Sequence, residues 1–387
     1  MIDLDAATTL APLPEALRAA ARAQAEAWGD PSALGPFAER ASDLLAEARL
    51  RVSELVDAPA EGVLFTSSGT EADNLAVKGL CAAAPSGRRH LVISAVEPYA
   101  VDHPARTLER QGWSLSRIAV DGLGRVTPQA LSAALRPDTA LVSVSLAHPG
   151  MGTWQQETGT LVAMAHKAGA FFHTDACLAA PFGPLSFRKL GVDALSLSGH
   201  HLGGVAGAGA LVLRPGLVPR PLIEGGTQEG GLRPGMPALG AIAAMGAAAG
   251  ILKREMHTRL PRLEALGGRL RAGLAALPGV RLTGDPEHRI PGHATCVLEG
   301  LDGEALVTAL LAGGVLASTG SPCASQALQA DPALLAMGLP EALCRGSLRL
   351  SAGPGTTVEE ADRALGILAG AVARLRALAP SAVGVGA

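Results

Sequence analysis

Three stretches of the 387-residue sequence place polar, chemistry-bearing side chains where apolar runs end. In FTSSGTEADN (65–74) a short apolar run gives way to a helical pattern. Ser68 and Glu71 have capping-box spacing. Gly69 and Thr70 bring backbone N–H groups and a hydroxyl to a helix N-terminus, where phosphate binds well. In FFHTDA (171–176), His173 and Asp175 stand at the end of an apolar strand. Ligands of open α/β sheets bind at that edge, and an acid there can hold a cationic ring nitrogen. In SLSGHHLGGVAGAGAL (196–211), Ser198, His200 and His201 lie in a glycine-rich turn between two strands. Read singly, the first is equally an ordinary capped helix and the second a solvated loop carboxylate. Together, an anion cup, an acid and a polar turn make a site for a phosphorylated aromatic ring.

The elements that must position these residues alternate from about residue 15 to 215. Strand patterns lie at GVLFTS, HLVISAV (90–96), TALVSVSLA (139–147), AFFHTDA (170–176), DALSLSG (193–199) and AGALVLRP (208–215). Helical patterns such as GTEADNLAVKGLCAAA, AVDHPARTLERQG and TGTLVAMAHKAG separate most of them. This alternation predicts a mostly parallel sheet covered by helices on both faces. After residue 250 come a helix (253–277), short strands including HATCVLEG and GSLRLSAG, and helices at 303–313 and 357–377. The expected division is a large domain, 15–250, and a small α+β domain of 1–14 and 251–387.

Hydrophobic residues make up 48% of the chain, enough for a large core, and the formal net charge of −3 argues against a nucleic-acid or membrane surface as main partner. The Ala/Gly-rich stretch 235–253 reads as a buried helix rather than a membrane span, because amphipathic turns follow it. The five cysteines show no CxxC spacing, so neither a disulfide framework nor a zinc site is suggested. With no signal-peptide pattern at the N-terminus, a reducing, cytoplasmic location is expected. Only four lysines are available for amine chemistry: Lys78, Lys167, Lys189 and Lys253.

Over nearly its whole length the chain resembles the cysteine desulfurases, within the class V aminotransferase group of fold-type I pyridoxal-phosphate (PLP) enzymes. The motifs AATT, FTSSGTEADNLAVKG, DGLGRV, LRPDTALVSVSLAH, FFHTDA, LGVDALSLSGHHLGG, IEGGTQEGGLRPG, GSPCAS, LLAMGL and GSLRLSAG follow in that family's order. The resemblance implies a seven-stranded, mostly parallel sheet sandwiched by helices, a smaller α+β domain, and a dimer. It implies that Gly69 and Thr70 form the phosphate cup, that Asp175 pairs with the ring nitrogen, and that Ser198 and His200 hold phosphate. Arg349 would bind a substrate carboxylate. Cys323 matches the persulfide-carrying cysteine, and its small neighbours suit an exposed, mobile sulfur carrier. Cys177 reads as core packing.

One departure decides the expectation. In the family the turn reads Ser-x-His-Lys, and the lysine holds PLP as a Schiff base. Here that position is His201, and an imidazole cannot make this bond. None of the four lysines stands near enough in the pattern to replace it. Further departures cluster at the same site. Pro98, followed by Tyr99, replaces the ring-stacking His, and Pro149 replaces an Asn. Leu178 replaces the Gln at the ring hydroxyl, Met236 the Thr that reaches the partner's phosphate, and Gly35 an N-terminal His. Each lost contact is worth on the order of 1 kcal/mol. A few such losses lower affinity by orders of magnitude. The leading expectation is therefore a pseudoenzyme of sulfur mobilisation and iron–sulfur cluster assembly, with PLP absent or held weakly and non-covalently. It would act through a homodimer or a heterodimer with a lysine-bearing relative, and through an iron–sulfur scaffold or sulfur-acceptor protein, with sulfur relay at Cys323. Two alternatives are a non-covalent PLP or pyridoxamine-phosphate enzyme using His201 as base, and an active desulfurase or related lyase.

Overall fold

The computed structural model describes residues 1–320 and 330–378. Twelve strands are named in chain order: β1 (Ile2–Asp3), β2 (Val63–Thr66), β3 (His90–Ser94), β4 (Ser114–Ile118), β5 (Thr139–Ser143), β6 (Phe171–Asp175), β7 (Ala194–Ser198), β8 (Gly209–Leu213), β9 (Val280–Leu282), β10 (His293–Leu298), β11 (Val315–Leu316) and β12 (Ser347–Ser351). The central sheet has seven strands in the order β2-β8-β7-β6-β5-β3-β4. β8 runs antiparallel to both of its neighbours, and the pairs from β7 to β4 are parallel. β2, β3, β5, β7 and β8 are buried at every residue. That is why they read as continuous apolar runs rather than alternating ones.

β4 is the strand that the sequence pattern does not show. Its segment SLSRI has one buried residue, Ile118. As an edge strand it pairs, among the described residues, with β3 alone and needs no apolar run. The helix that opens at Gly69 also differs from the regular one expected. It runs from Gly69 to Ala83 but widens to a π-turn over Leu75–Gly79, which contains Lys78. Such bulges commonly accompany functional sites.

A single helix, Leu239–Ala275, replaces the two helical segments expected around residue 253. At 37 residues it spans about 55 Å at ~1.5 Å per residue. Its first half packs on the helices Pro14–Glu26 and Pro36–Leu55. Small side chains permit that approach: a Cβ on Gly246 would stand 2.6 Å from Ala48 Cα. Its second half packs on β9, β10 and the helix Val358–Leu378. There β12, β10 and β9 form a three-stranded antiparallel sheet. β1 pairs with β11, and Asp5 bridges to Ser351, so the N-terminal segment is laced to this C-terminal region. Among the described residues, no helix is long and apolar enough to cross a membrane.

Candidate functional site

The C-terminal ends of β2, β3, β5, β6 and β7 converge, as open α/β sheets require of a ligand site. After β2, Ser68 caps the next helix: its Oγ accepts the Glu71 N–H at 3.1 Å. The return arm reaches one residue further back than a standard capping box, since Glu71 Oε2 accepts the Ser67 N–H at 2.7 Å. Gly69 and Thr70 open the helix. A Cβ on Gly69 would lie 2.6 Å from Cys177 Sγ and 3.1 Å from Ser198 Cβ, so only glycine fits there. Cys177 thus packs as the floor of the cup, and burial pushes its thiol pKa well up. Ser198 Oγ is buried and has no hydrogen-bond partner among the described residues.

Beside the cup lie three carboxyl groups in one another's field. Asp175, at the end of β6, accepts the Cys177 N–H at 2.7 Å, and burial raises its pKa. Asp73 is 1% exposed; burial and then the charge of Asp175 raise it well above the usual range. Its Oδ1 lies 3.5 Å from His173 Nε2. That contact is not an ion pair, because burial pushes His173 down to about 3 and leaves it neutral between Ser143 Oγ (2.8 Å) and Ser196 Oγ (2.9 Å). Glu97, just past β3, accepts from Ser94 Oγ at 2.6 Å, from Ser145 N–H at 2.9 Å and from Ser145 Oγ at 2.5 Å. Burial lifts it to about 7 against those hydrogen bonds, and the charge of Asp175 adds to the rise. Glu97 was not among the residues that the sequence singles out. Its position just beyond the end of a parallel strand was the available signal.

The histidine turn follows β7. His200 Nδ1 pairs with Thr9 Oγ1 at 3.1 Å. His201 Nε2 lies 3.1 Å from the Thr8 carbonyl. A carbonyl only accepts, so Nε2 carries the proton and donates. The other ring nitrogen, Nδ1, is buried without a partner among the described residues. Burial, then the charges of His200 and Arg349, push His201 down to about 3, against the Thr8 hydrogen bond.

Arg349 enters from β12. It is 1% exposed and donates through Nη2 to Asp5 Oδ1 at 2.7 Å. Pro149 O accepts from Arg349 Nη1 at 3.3 Å and from His293 Nε2 at 2.9 Å. His293, His148 and Asp331 join this group without having stood out in the sequence. His148 Nδ1 accepts the Gly150 N–H at 3.0 Å, and burial followed by the Arg349 charge pushes it down to about 4. Asp331 caps a short helix through Ala333 N–H at 2.8 Å and keeps its other oxygen buried and unpartnered among the described residues.

The remaining positions singled out in the sequence separate. Leu178 is buried in the core cluster. Pro98 precedes the helix Tyr99–Arg110, and the exposed Tyr99 stacks on His103 at 4.9 Å. Met236 is exposed, and Gly35 holds a φ of 116° before the helix at Pro36. Cys323 lies outside the described residues. Lys78 sits in the π-turn and Lys167 ends the helix Thr158–Lys167, while Lys189 and Lys253 line a separate groove with Asp57 and Trp154.

The family profile described as Aminotransferase class-V matches residues 3–364. The chain belongs to that family. Its relatives include cysteine desulfurases. The chain is 41% identical to the cysteine desulfurase of Cereibacter sphaeroides over 98% of its own length and 97% of that protein's. It is 36% identical to cysteine desulfurase IscS of Methanosarcina thermophila, over 92% and 88% respectively. A solved NifS-like protein superposes with a TM-score of 0.90 at 26% identity, covering 97% of this chain and all of the other. The fold is therefore that of the fold-type I PLP enzymes.

The family's cofactor is PLP, and the site meets it only in part. Ser198 Oγ, unpartnered among the described residues, and the half-buried Asp175 carboxyl suit the phosphate and ring-nitrogen ends. The third requirement fails, because the turn offers the imidazole of His201, with one nitrogen committed to Thr8, instead of a primary amine. The residues present do not fit the cofactor as a covalently held group.

Proposed function

We propose that this chain is a desulfurase-like protein of sulfur mobilisation and iron–sulfur cluster assembly that does not desulfurate cysteine by itself. The observation that carries this reading is His201: a partly buried imidazole, hydrogen-bonded to Thr8, where the chemistry requires an amine. The protein acts as a dimer, with itself or with a lysine-bearing relative that supplies the chemistry. It docks an iron–sulfur scaffold or a sulfur acceptor, and Cys323 relays sulfur. The names of its relatives support the pathway.

The reading in which His201 serves as base for a non-covalent cofactor draws support from Ser198 Oγ, which has no hydrogen-bond partner among the described residues. It is weakened by the basicity of His201. A nitrogen held at about 3 is a poor acceptor of protons near neutrality.

The test is spectroscopic. The purified protein is scanned with and without added PLP, reduced with borohydride and weighed by mass spectrometry, and sulfide release from L-cysteine is measured. The expected result is no aldimine absorption, no adduct and no sulfide. A covalent adduct on any side chain, or sulfide turnover by the chain alone, overturns the proposal. His201→Lys adds a graded test: restoration of colour and turnover by this change alone shows that Pro98, Pro149, Leu178 and Met236 matter less than argued.

A further inference from the structure

Arg349 is surrounded by acceptors from its own chain. Nη2 donates to Asp5 Oδ1 at 2.7 Å and also to Thr8 Oγ1. Nη1 donates to Pro149 O at 3.3 Å and to Gly320 O at 3.5 Å. Only Nε is left, buried and without a partner among the described residues. A guanidinium grips a carboxylate through two parallel N–H groups, and a single free N–H cannot do so. Asp331 also lies in the field of Arg349, but no hydrogen bond joins the two among the described residues.

We infer that Asp5 is the resident carboxylate of the Arg349 receptor, so that a ligand carboxylate binds there only by displacing it. The segment carrying Asp5 is laced to both halves of the site. Thr8 Oγ1 donates to Asp5 Oδ1 at 3.0 Å, the Thr8 carbonyl holds His201, and Thr9 holds His200. Asp5 is the partner that can yield. Its side chain is 23% exposed against 1% for Arg349, and its contact to the guanidinium is through one oxygen. Asp5 thus sets whether the site takes a carboxylate, whichever cofactor it does or does not hold.

Binding of L-alanine, with ethylamine as the probe that lacks the carboxylate, is measured by ligand-observed NMR titration of the full chain. Asp5→Asn keeps the shape and removes the charge. It is expected to tighten L-alanine about tenfold or more, the scale of a charge-assisted contact, and to leave ethylamine unchanged. The double variant Asp5→Asn/Arg349→Gln loses the gain. Thr8→Val, which loosens Asp5 without touching its charge, moves L-alanine affinity in the same direction by less. The inference is overturned if Asp5→Asn or Thr8→Val binds L-alanine no tighter than the unaltered protein, or if the gain survives the loss of Arg349.

Discussion

Replacing Glu97 with Gln tests the electrostatics of the site directly. The amide has the shape of the protonated acid. Its carbonyl oxygen can keep accepting from the Ser94 hydroxyl and the Ser145 N–H, and its NH2 group can face the Ser145 hydroxyl once that hydroxyl turns to accept. The native acid is lifted from 4.5 to about 7, with burial as the largest cause. A group whose carboxyl is raised by folding favours the folded state when protonated. Its cost is therefore absent below pH ~4.5, grows as pH climbs toward 7, and is complete above it. At ~1.36 kcal/mol per pH unit, the full cost is ~3 kcal/mol. This is an upper bound, because Glu97 is only half-buried by surface exposure. Asp175 and Asp73 titrate in the same field, but both variants carry them, so their contributions largely cancel in the difference. The assay is urea unfolding of both proteins at intervals from pH 4.5 to 8.5. The advantage of Glu97→Gln should be near zero at the acid end and reach up to ~3 kcal/mol at the alkaline end. A difference that stays flat across this range refutes the reasoning.

Other perturbations have equally defined outcomes. Ser198→Ala removes a buried hydroxyl that has no partner among the described residues; it should be neutral or stabilising by ~1 kcal/mol in denaturant unfolding, and a clear loss of stability would mean that the hydroxyl is satisfied. Gly69→Ala drives a methyl into Cys177 Sγ and should cost ~1–3 kcal/mol; Cys177→Ala in the same chain should return part of that loss, and strict additivity of the two changes would contradict the packing described. Glu229 sits at a φ of 49° with its carboxylate held by both arms of Arg49 and by the Phe65 N–H at 2.9 Å; the Arg49 side chain is 24% exposed and can rehydrate, so Glu229→Ala should lower stability by ~1–3 kcal/mol, read as a shift in the unfolding midpoint.

Much of the frame was legible before folding. The βα alternation up to residue 215 is visible because strands buried on both faces must be apolar throughout, and β2, β3, β5, β7 and β8 are buried at every position. β4 was not legible, since an edge strand carries no such demand and its segment SLSRI shows no apolar run. The π-turn at Leu75–Gly79 and the continuity of the helix through residue 253 likewise leave no mark in an apolar period. At the site, Gly69, Asp175, Ser198, His200 and His201 declared themselves by type and by position at strand ends. Glu97, His148, His293 and Asp331 did not, because each is an ordinary polar residue until the fold buries it.

The sequence by itself determined which functional groups exist here, and so that the glycine turn presents an imidazole and no amine; the chemical identity of a side chain does not depend on where it is carried. Only the tertiary structure decided which of those groups are charged and whom they face. Arg349 meets Asp5 across 344 positions of chain, and Glu97 is lifted toward neutrality by the loss of water around it. Ionisation and pairing answer to distance and dielectric, and neither is written along the chain.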